Sequence, residues 1–175
     1  MLEAAVVVPI VRRDEPAMLF VRRAAHLRRN PGQIAFPGGI IDAADDDARG
    51  AALREFEEEL GVPRERVQII DRLDDVTTLA LSVVIAPFVG LVDPSTAFVH
   101  DRNETQSVHE VPLGALYEPG ALHEGLETVE HAGQTLDVES WLFDYAGLHV
   151  WGATARILHS FTKRYSLARA LECLR

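Results

Sequence analysis

Cysteine is nearly absent from this 175-residue chain, with Cys173 the only one. A single thiol can form neither an intrachain disulfide nor a cysteine-based metal cluster. Lysine is equally scarce: Lys163 stands alone, and arginine supplies the other basic side chains. No apolar run approaches the roughly 20 residues that span a bilayer. The opening MLEAAVVVPIVRRDE lacks the basic flank of a secretory signal. Together these absences point to a reducing cytoplasm and to no membrane partner. The net charge of −10 argues against a general nucleic-acid binder. Internal repeats, low-complexity linkers and compositional breaks are also missing, so residues 1–175 read as one domain.

The charge that is present is divided along the chain. Arg12, Arg13, Arg22, Arg23, Arg28 and Arg29 lie near the beginning, and acids dominate from Asp42 onward. Arginine is well suited to forked recognition of phosphate, although a GC-rich genome would also favour arginine over lysine.

The local patterns alternate between strand and helix. AAVVVPIVRR and AMLFVRR read as strands joined by the turn DEP, followed by a loop, AHLRRNPGQ, and a short strand, QIAF. A helix is expected from about Asp47 to Leu60, stopped by Gly61 and Pro63. RVQIIDRL, LALSVVIAPFVGLV and the end of FVHDRNETQSVHEV supply further strands, and Pro112 begins a short helix, LGALYE. A hairpin is expected around Ala132 and Gly133, and from Trp151 the chain is helical in two pieces meeting near Tyr165. The sum is a mixed sheet with a few helices, an α/β fold.

The acidic helix carries the chemistry. On a helical wheel Ala52, Leu53, Phe56 and Leu60 share a core-facing arc. Glu55, Glu58 and Glu59 share the adjacent arc at i, i+3 and i+4, so their carboxylates can converge. Arg54 can pair with Glu58, which leaves net negative charge for a hard divalent cation such as magnesium. The Gly38-Gly39 turn would let a backbone carbonyl, that of Gly39, approach the same ion. From composition alone a solvated acidic face fits these residues equally well.

The order of residues is more specific. REFEEELG followed by Val62 matches Arg-Glu-U-x-Glu-Glu-x-Gly-U, where U is a bulky apolar residue. This resembles the helical half of the box that marks the Nudix hydrolases, which cleave diphosphate linkages in nucleotide derivatives with a divalent metal. The resemblance implies an α/β/α sandwich with a mixed sheet between helices. It implies Glu55, Glu58 and Glu59 as metal ligands, with Arg54 as their orienting partner. The outer half departs from the usual box: one residue is inserted, and Asp45 or Asp46 replaces the expected glutamate.

Upstream, LFVRRAAHLRRNPGQIAFPGG resembles the signature of coenzyme A pyrophosphatases within that family. Leu19, Arg23, Ala24, Arg28, Gly32, Phe36, Pro37, Gly38 and Gly39 match at every spacing, while Phe20 and Val21 depart from it. The inserted residue and the acids Asp42 and Asp45 resemble the same subfamily. The resemblance implies Arg23, Arg28, Arg29, Gly32, Phe36, Pro37 and Gly38 as substrate-binding residues. Charge-assisted hydrogen bonds from the arginines suit the phosphates of coenzyme A, and surface ion pairs are the alternative for the same side chains. NETQSVHEVPL is similar to the family region in which a late glutamate, here Glu104, reaches the metal.

The implied reaction is hydrolysis of coenzyme A or its thioesters to 4′-phosphopantetheine and adenosine 3′,5′-bisphosphate, with Mg2+ or Mn2+ as cofactor. Glu55, Glu58 and Glu104 remain alternatives for the base. The rival readings are another diphosphate substrate, such as NADH or ADP-ribose, and a silent nucleotide-binding module. The silent module would be expected to have lost box carboxylates. The seven histidines show no paired ligand spacing, although His26 lies among the variable positions of the signature and could touch substrate. Ser82 and Thr154 have no recognisable base partner.

Overall fold

Side-chain alternation along the first two strands sets the architecture. In β1 (Leu2–Val11), Ala5, Val7 and Val11 enter one apolar cluster, and Val8 and Ile10 enter another. In β2 (Ala17–Arg23), Leu19 and Val21 are divided in the same way from Met18 and Phe20. Strands with a two-residue repeat and apolar side chains on both faces need a cover on each face. The computed structural model, which describes residues 2–78, 83–131 and 133–174, covers each face with helix.

The remaining elements follow in order: β3 (Ile34–Ala35), β4 (Gly38–Ile40), α1 (Ala48–Leu60), β5 (Val67–Arg72), β6 (Val76–Thr78), β7 (Val83–Val92) and β8 (Thr105–Pro112). A 3-10 turn at Leu113–Tyr117 leads to β9 (Leu122–His131), β10 (Gln134–Tyr145), β11 (Leu148–Val150), α2 (Gly152–Arg164) and α3 (Leu167–Glu172). The large sheet runs β3-β2-β1-β7-β5, with β4 on β1, β6 on β7 and β8 on β2. It is mixed, because β1 pairs with β7 in parallel from Leu2–Val83 to Val11–Val92, whereas its other pairings are antiparallel.

Ala51, Ala52, Phe56 and Leu60 of α1 cover one face. Ala155, Ile157, Leu158 and Phe161 of α2 cover the other, joined by Phe143, Leu148 and Val150 from the second sheet, β11-β10-β9. Phe56, Leu60, Leu158 and Phe161 are fully buried, and each such side chain contributes about 1.5–3 kcal/mol relative to an exposed position. The result is an α/β/α sandwich, as expected. No helix among the described residues is long and apolar enough to cross a membrane.

The expected helix from Asp47 to Leu60 is α1. The Asp47 carboxylate accepts from Gly50 N at 2.7 Å, and Gly61 closes the helix in the left-handed conformation. Leu53, expected in the core, lies at its margin and is only partly buried. The short helix expected after Pro112 is a 3-10 turn. The beginning of the expected strand at 79–82, with Ser82, lies outside the described residues, as does Ala132 of the hairpin.

One irregularity positions the site. β1 gives the same edge to two partners: Ala4 to Val6 pair with β4, whereas Ile10 and Val11 pair with β2. Between these pairings Val7 N donates to the Pro37 carbonyl at 2.9 Å, so the Phe-Pro-Gly-Gly turn sits where β1 changes partner. Gly38 has φ +152°, and a Cβ there would collide with the Ala5 carbonyl and lie 2.6 Å from Val6 Cα. Only glycine fits that contact.

Candidate active site

The site forms where α1, this turn and the loop before β8 meet. Glu55 and Glu59 lie one helical turn apart on α1, and Glu104 comes from the residue before β8. Each offers a carboxylate oxygen, and the three oxygens lie within 4.8 Å of one another. They differ in exposure: Glu59 is buried at 3%, Glu55 is half-buried and Glu104 is exposed.

Glu58 is placed elsewhere. Its side chain is 57% exposed and accepts from Arg54 Nη1 at 3.1 Å, outside the cluster of three. The reason is angular: Glu55 and Glu59 are almost superposed along the helix, while position 58 turns toward solvent.

Burial and like charge shape the electrostatics. Desolvation raises the Glu59 carboxyl to about 8, opposed by the charge of Arg23 and the Gly38 N–H, while Glu55 and Glu104 add to the rise. Gly38 N donates to Glu59 Oε2 at 3.2 Å. Desolvation also raises the Glu55 carboxyl, opposed by Arg54, whose Nη1 donates to Glu55 Oε1 at 2.8 Å. Three convergent carboxyl groups are a donor set that fits a hard divalent cation, which would hold them ionised.

Arg54 organises the near side. Its Nε and Nη2 reach Asp45 Oδ1 and Oδ2 at 2.9 and 3.0 Å, and Nη2 reaches the Ile40 carbonyl at 3.3 Å. The Asp45 carboxyl is lowered to about 2, chiefly by these Arg54 hydrogen bonds. Asp46 is exposed and makes no hydrogen bond or ion pair with another described residue. Of the two aspartates left open by the sequence, Asp45 is the one that contacts Arg54.

Gly39 lies against the cluster. A Cβ on it would stand 2.5 Å from the Glu55 carboxyl carbon and 2.6 and 2.7 Å from its oxygens. Sequence reasoning looked to its carbonyl and missed the absence of a side chain, which gives the carboxylate room.

The remaining candidates divide into inner and outer groups. Arg23, at the end of β2, has a buried Nε without a hydrogen-bond partner among the described residues, and its charge acts on Glu59. Arg28 and Arg29 are exposed on the following loop. Gly32 closes that loop with φ +70°, its N–H donating to the Arg23 carbonyl at 3.1 Å and its carbonyl accepting from Arg22 Nη1 at 3.2 Å. Phe36 is 4% exposed and stacks on Phe20 at 5.0 Å, and Pro37 is buried, so both brace the turn from the core side.

The sandwich and its three converging carboxylates define a mixed α/β protein with a candidate metal site, and comparison with known proteins shows its family. The family model described as NUDIX domain matches residues 1–131. A protein of Enterobacter sp. (strain 638) named Uncharacterized Nudix hydrolase NudL is 37% identical over 156 residues, covering 89% of this chain and 79% of that protein. The chain therefore belongs to the Nudix hydrolase family, whose members generally use divalent metals. Among solved structures, a C. elegans Ap4A hydrolase binary complex matches with TM-score 0.55 and 20% identity, over 63% of this chain and 80% of that one. The NUDIX domain of Shewanella oneidensis NrtR, complexed with ADP ribose, matches with TM-score 0.54 and 21% identity, over 67% of this chain and 77% of that one. At such identities the structural likeness concerns the fold.

Proposed function

We propose that this Nudix hydrolase cleaves the diphosphate linkage of coenzyme A or its thioesters. The products are 4′-phosphopantetheine, or its acylated form, and adenosine 3′,5′-bisphosphate. One observation carries this reading. The segment that resembles the coenzyme A pyrophosphatase signature meets one carboxylate at two points, with the charge of Arg23 acting on Glu59 and Gly38 N donating to it at 3.2 Å. The loop between them, bearing Arg28 and Arg29, is therefore tethered beside the acidic cluster.

Glu55, Glu59 and Glu104 would hold Mg2+ or Mn2+, which when bound neutralises diphosphate charge and lowers the pKa of water. Arg54 orients Glu55 and is itself held by Asp45. Arg23, whose charge acts on Glu59, would offer its guanidinium to a phosphate oxygen. Of the three carboxylates Glu104 alone is exposed, which suits it to accept the proton of an attacking water. Water adds to one phosphorus, the bridging P–O bond breaks, and the two phosphates separate.

The test is product identification by mass spectrometry after incubation with coenzyme A and Mg2+ or Mn2+. Parallel reactions contain dephospho-coenzyme A, NADH and ADP-ribose. The expected result is the two named products, formed at least about tenfold faster than products from NADH or ADP-ribose. Faster cleavage of either alternative would reassign the substrate while leaving a diphosphate hydrolase.

A further inference from the structure

Two cavities contrast in how their polar groups are satisfied. One, of about 430 Å³, is lined by Asp71, Arg164, Tyr165 and Arg169 among others. Its groups satisfy each other: Arg164 Nε and the Tyr165 hydroxyl both donate to Asp71 Oδ2 at 2.6 Å, and Arg169 lies 5.2 Å from the Tyr165 ring centroid.

The other cavity, of about 480 Å³, is lined by Ala24, His26, His100, Arg102, Thr105 and Gln106 among others. The side chains of His26, His100, Arg102 and Gln106 make no hydrogen bond or ion pair with another described residue. Thr105 is 1% exposed, and its hydroxyl is buried without a partner among the described residues. The unpaired polar groups that solvent reaches here are therefore those of His26, His100, Arg102 and Gln106, gathered around one open cavity.

The chemistry of the lining selects the sign of that ligand. Arg102 is permanently charged, the imidazoles each carry an N–H in either tautomer, and Gln106 adds a neutral donor. No carboxylate among the described residues lines the cavity, although the protein carries a net charge of −10. The cavity is also fixed to the acidic cluster through the backbone. Ala24 N donates to the Glu104 carbonyl at 2.9 Å, and Asp101 N donates to the Glu59 carbonyl at 3.0 Å. Thr105 N in turn donates to the Asp101 carbonyl at 2.8 Å. His100 and Arg102 flank Asp101, so their backbone is anchored to the carbonyl of a candidate metal ligand.

We infer that this cavity is an anion subsite that takes a phosphomonoester of the substrate, apart from the diphosphate that is cut. The inference rests on the diphosphatase reading above, and for coenzyme A it assigns the 3′-phosphate to His26, His100 and Arg102. It goes beyond the signature loop, because His100, Arg102 and Thr105 lie outside it.

The test is calorimetric binding of adenosine 3′,5′-bisphosphate and of 5′-AMP to the full chain with Mg2+. These ligands differ only in the second phosphomonoester, and neither contains a diphosphate to hydrolyse. Wild-type protein should prefer the bisphosphate by at least about tenfold, as charge-assisted contacts allow. The double variant His100→Ala/Arg102→Ala should reduce that preference to about twofold or less, and Arg102→Lys, which keeps the charge and loses the fork, should fall between. Thermal unfolding of each variant confirms that the fold persists. A wild type without preference, or a double variant that retains it, overturns the subsite. Coenzyme A cleavage is scored separately: a preference without cleavage sinks the proposed reaction and keeps the subsite, and cleavage without a preference does the reverse.

Discussion

Arg54 grips Asp45 with a two-pronged fork, Nε to Oδ1 at 2.9 Å and Nη2 to Oδ2 at 3.0 Å. Its remaining nitrogen, Nη1, holds Glu55 at 2.8 Å, so Asp45 orients a candidate metal ligand through one intervening side chain. Asp45→Ala should therefore lower kcat/KM roughly tenfold, as expected for removing hydrogen bonds to a charged group. Asp46→Ala should stay within about twofold, as for an ordinary surface substitution. Steady-state kinetics on the two variants checks the assignment, and equal losses would remove Asp45 from its positioning role.

Glu59 gives a prediction about protons. With its carboxyl raised to about 8 by burial, the metal-free protein holds it mostly neutral at pH 7. Glu59→Gln then resembles the native neutral form in shape and charge, so thermal stability without metal should hold. Metal binding must displace the proton. Titration of Mn2+ by calorimetry in buffers of different ionisation enthalpy should show proton release below pH 8 that is smaller in Glu59→Gln. Glu55→Gln and Glu59→Gln should each lose at least about a hundredfold in turnover. Glu58→Gln, whose carboxylate is 57% exposed and outside the cluster, should lose less.

Gly39 tests the space beside Glu55. Gly39→Ala places a methyl 2.5 Å from the Glu55 carboxyl carbon, a contact that must move the carboxylate. The expected result is weaker Mn2+ binding by calorimetry at unchanged cooperative unfolding. Normal metal affinity would show that Glu55 need not occupy this position.

Much of this was legible because local rules and tertiary needs coincide. The two-faced alternation of β1 and β2, the Asp47 cap and the Gly61 stop are written in adjacent residues, and α1 follows from them. The β1–β7 pairing was not legible, since it joins segments about 80 residues apart without any local mark. Glu58 shows the same limit at the site. A wheel groups it with Glu55 and Glu59, but the direction of the cluster is set by Gly38, Gly39 and Glu104, which are not on the helix. His100 and Arg102 were obscured likewise, because their partners in the cavity come from the loop after β2.

A second pH effect belongs to the smaller sheet. His149 on β11 meets Asp144 at 2.7 Å and Glu127 at 2.8 Å, and these two carboxylates raise its imidazole above the ordinary value. A histidine raised on folding contributes stability that is fully present below its unfolded pKa and lost as pH rises through the folded one. His149→Gln should thus lower the melting temperature at pH 5.5 and match wild type at pH 9. The side chain is 45% exposed, so the shift at low pH should be at most about 3 °C. A difference that grows with pH would contradict the pairing.

Arg23 and Arg28 separate inner from outer recognition. Arg23 has a buried, unpartnered Nε beside Glu59, whereas Arg28 is exposed on the loop. A guanidinium charge next to the partly buried acidic cluster is screened less than one on an exposed loop. Arg23→Ala should therefore reduce kcat/KM for coenzyme A roughly ten- to a hundredfold, and Arg28→Ala by less than about tenfold. The substrate series locates the contact. If Arg23 contacts the diphosphate, as proposed, it should lose as much on dephospho-coenzyme A as on coenzyme A, which share that group. Arg23→Lys, which keeps the charge without the fork, should recover only part of the loss. Removing Arg23 also takes a favourable charge away from Glu59, so Mn2+ affinity is measured in parallel. A loss in kcat/KM that follows metal affinity alone would place Arg23 behind the carboxylates, with no contact to the substrate.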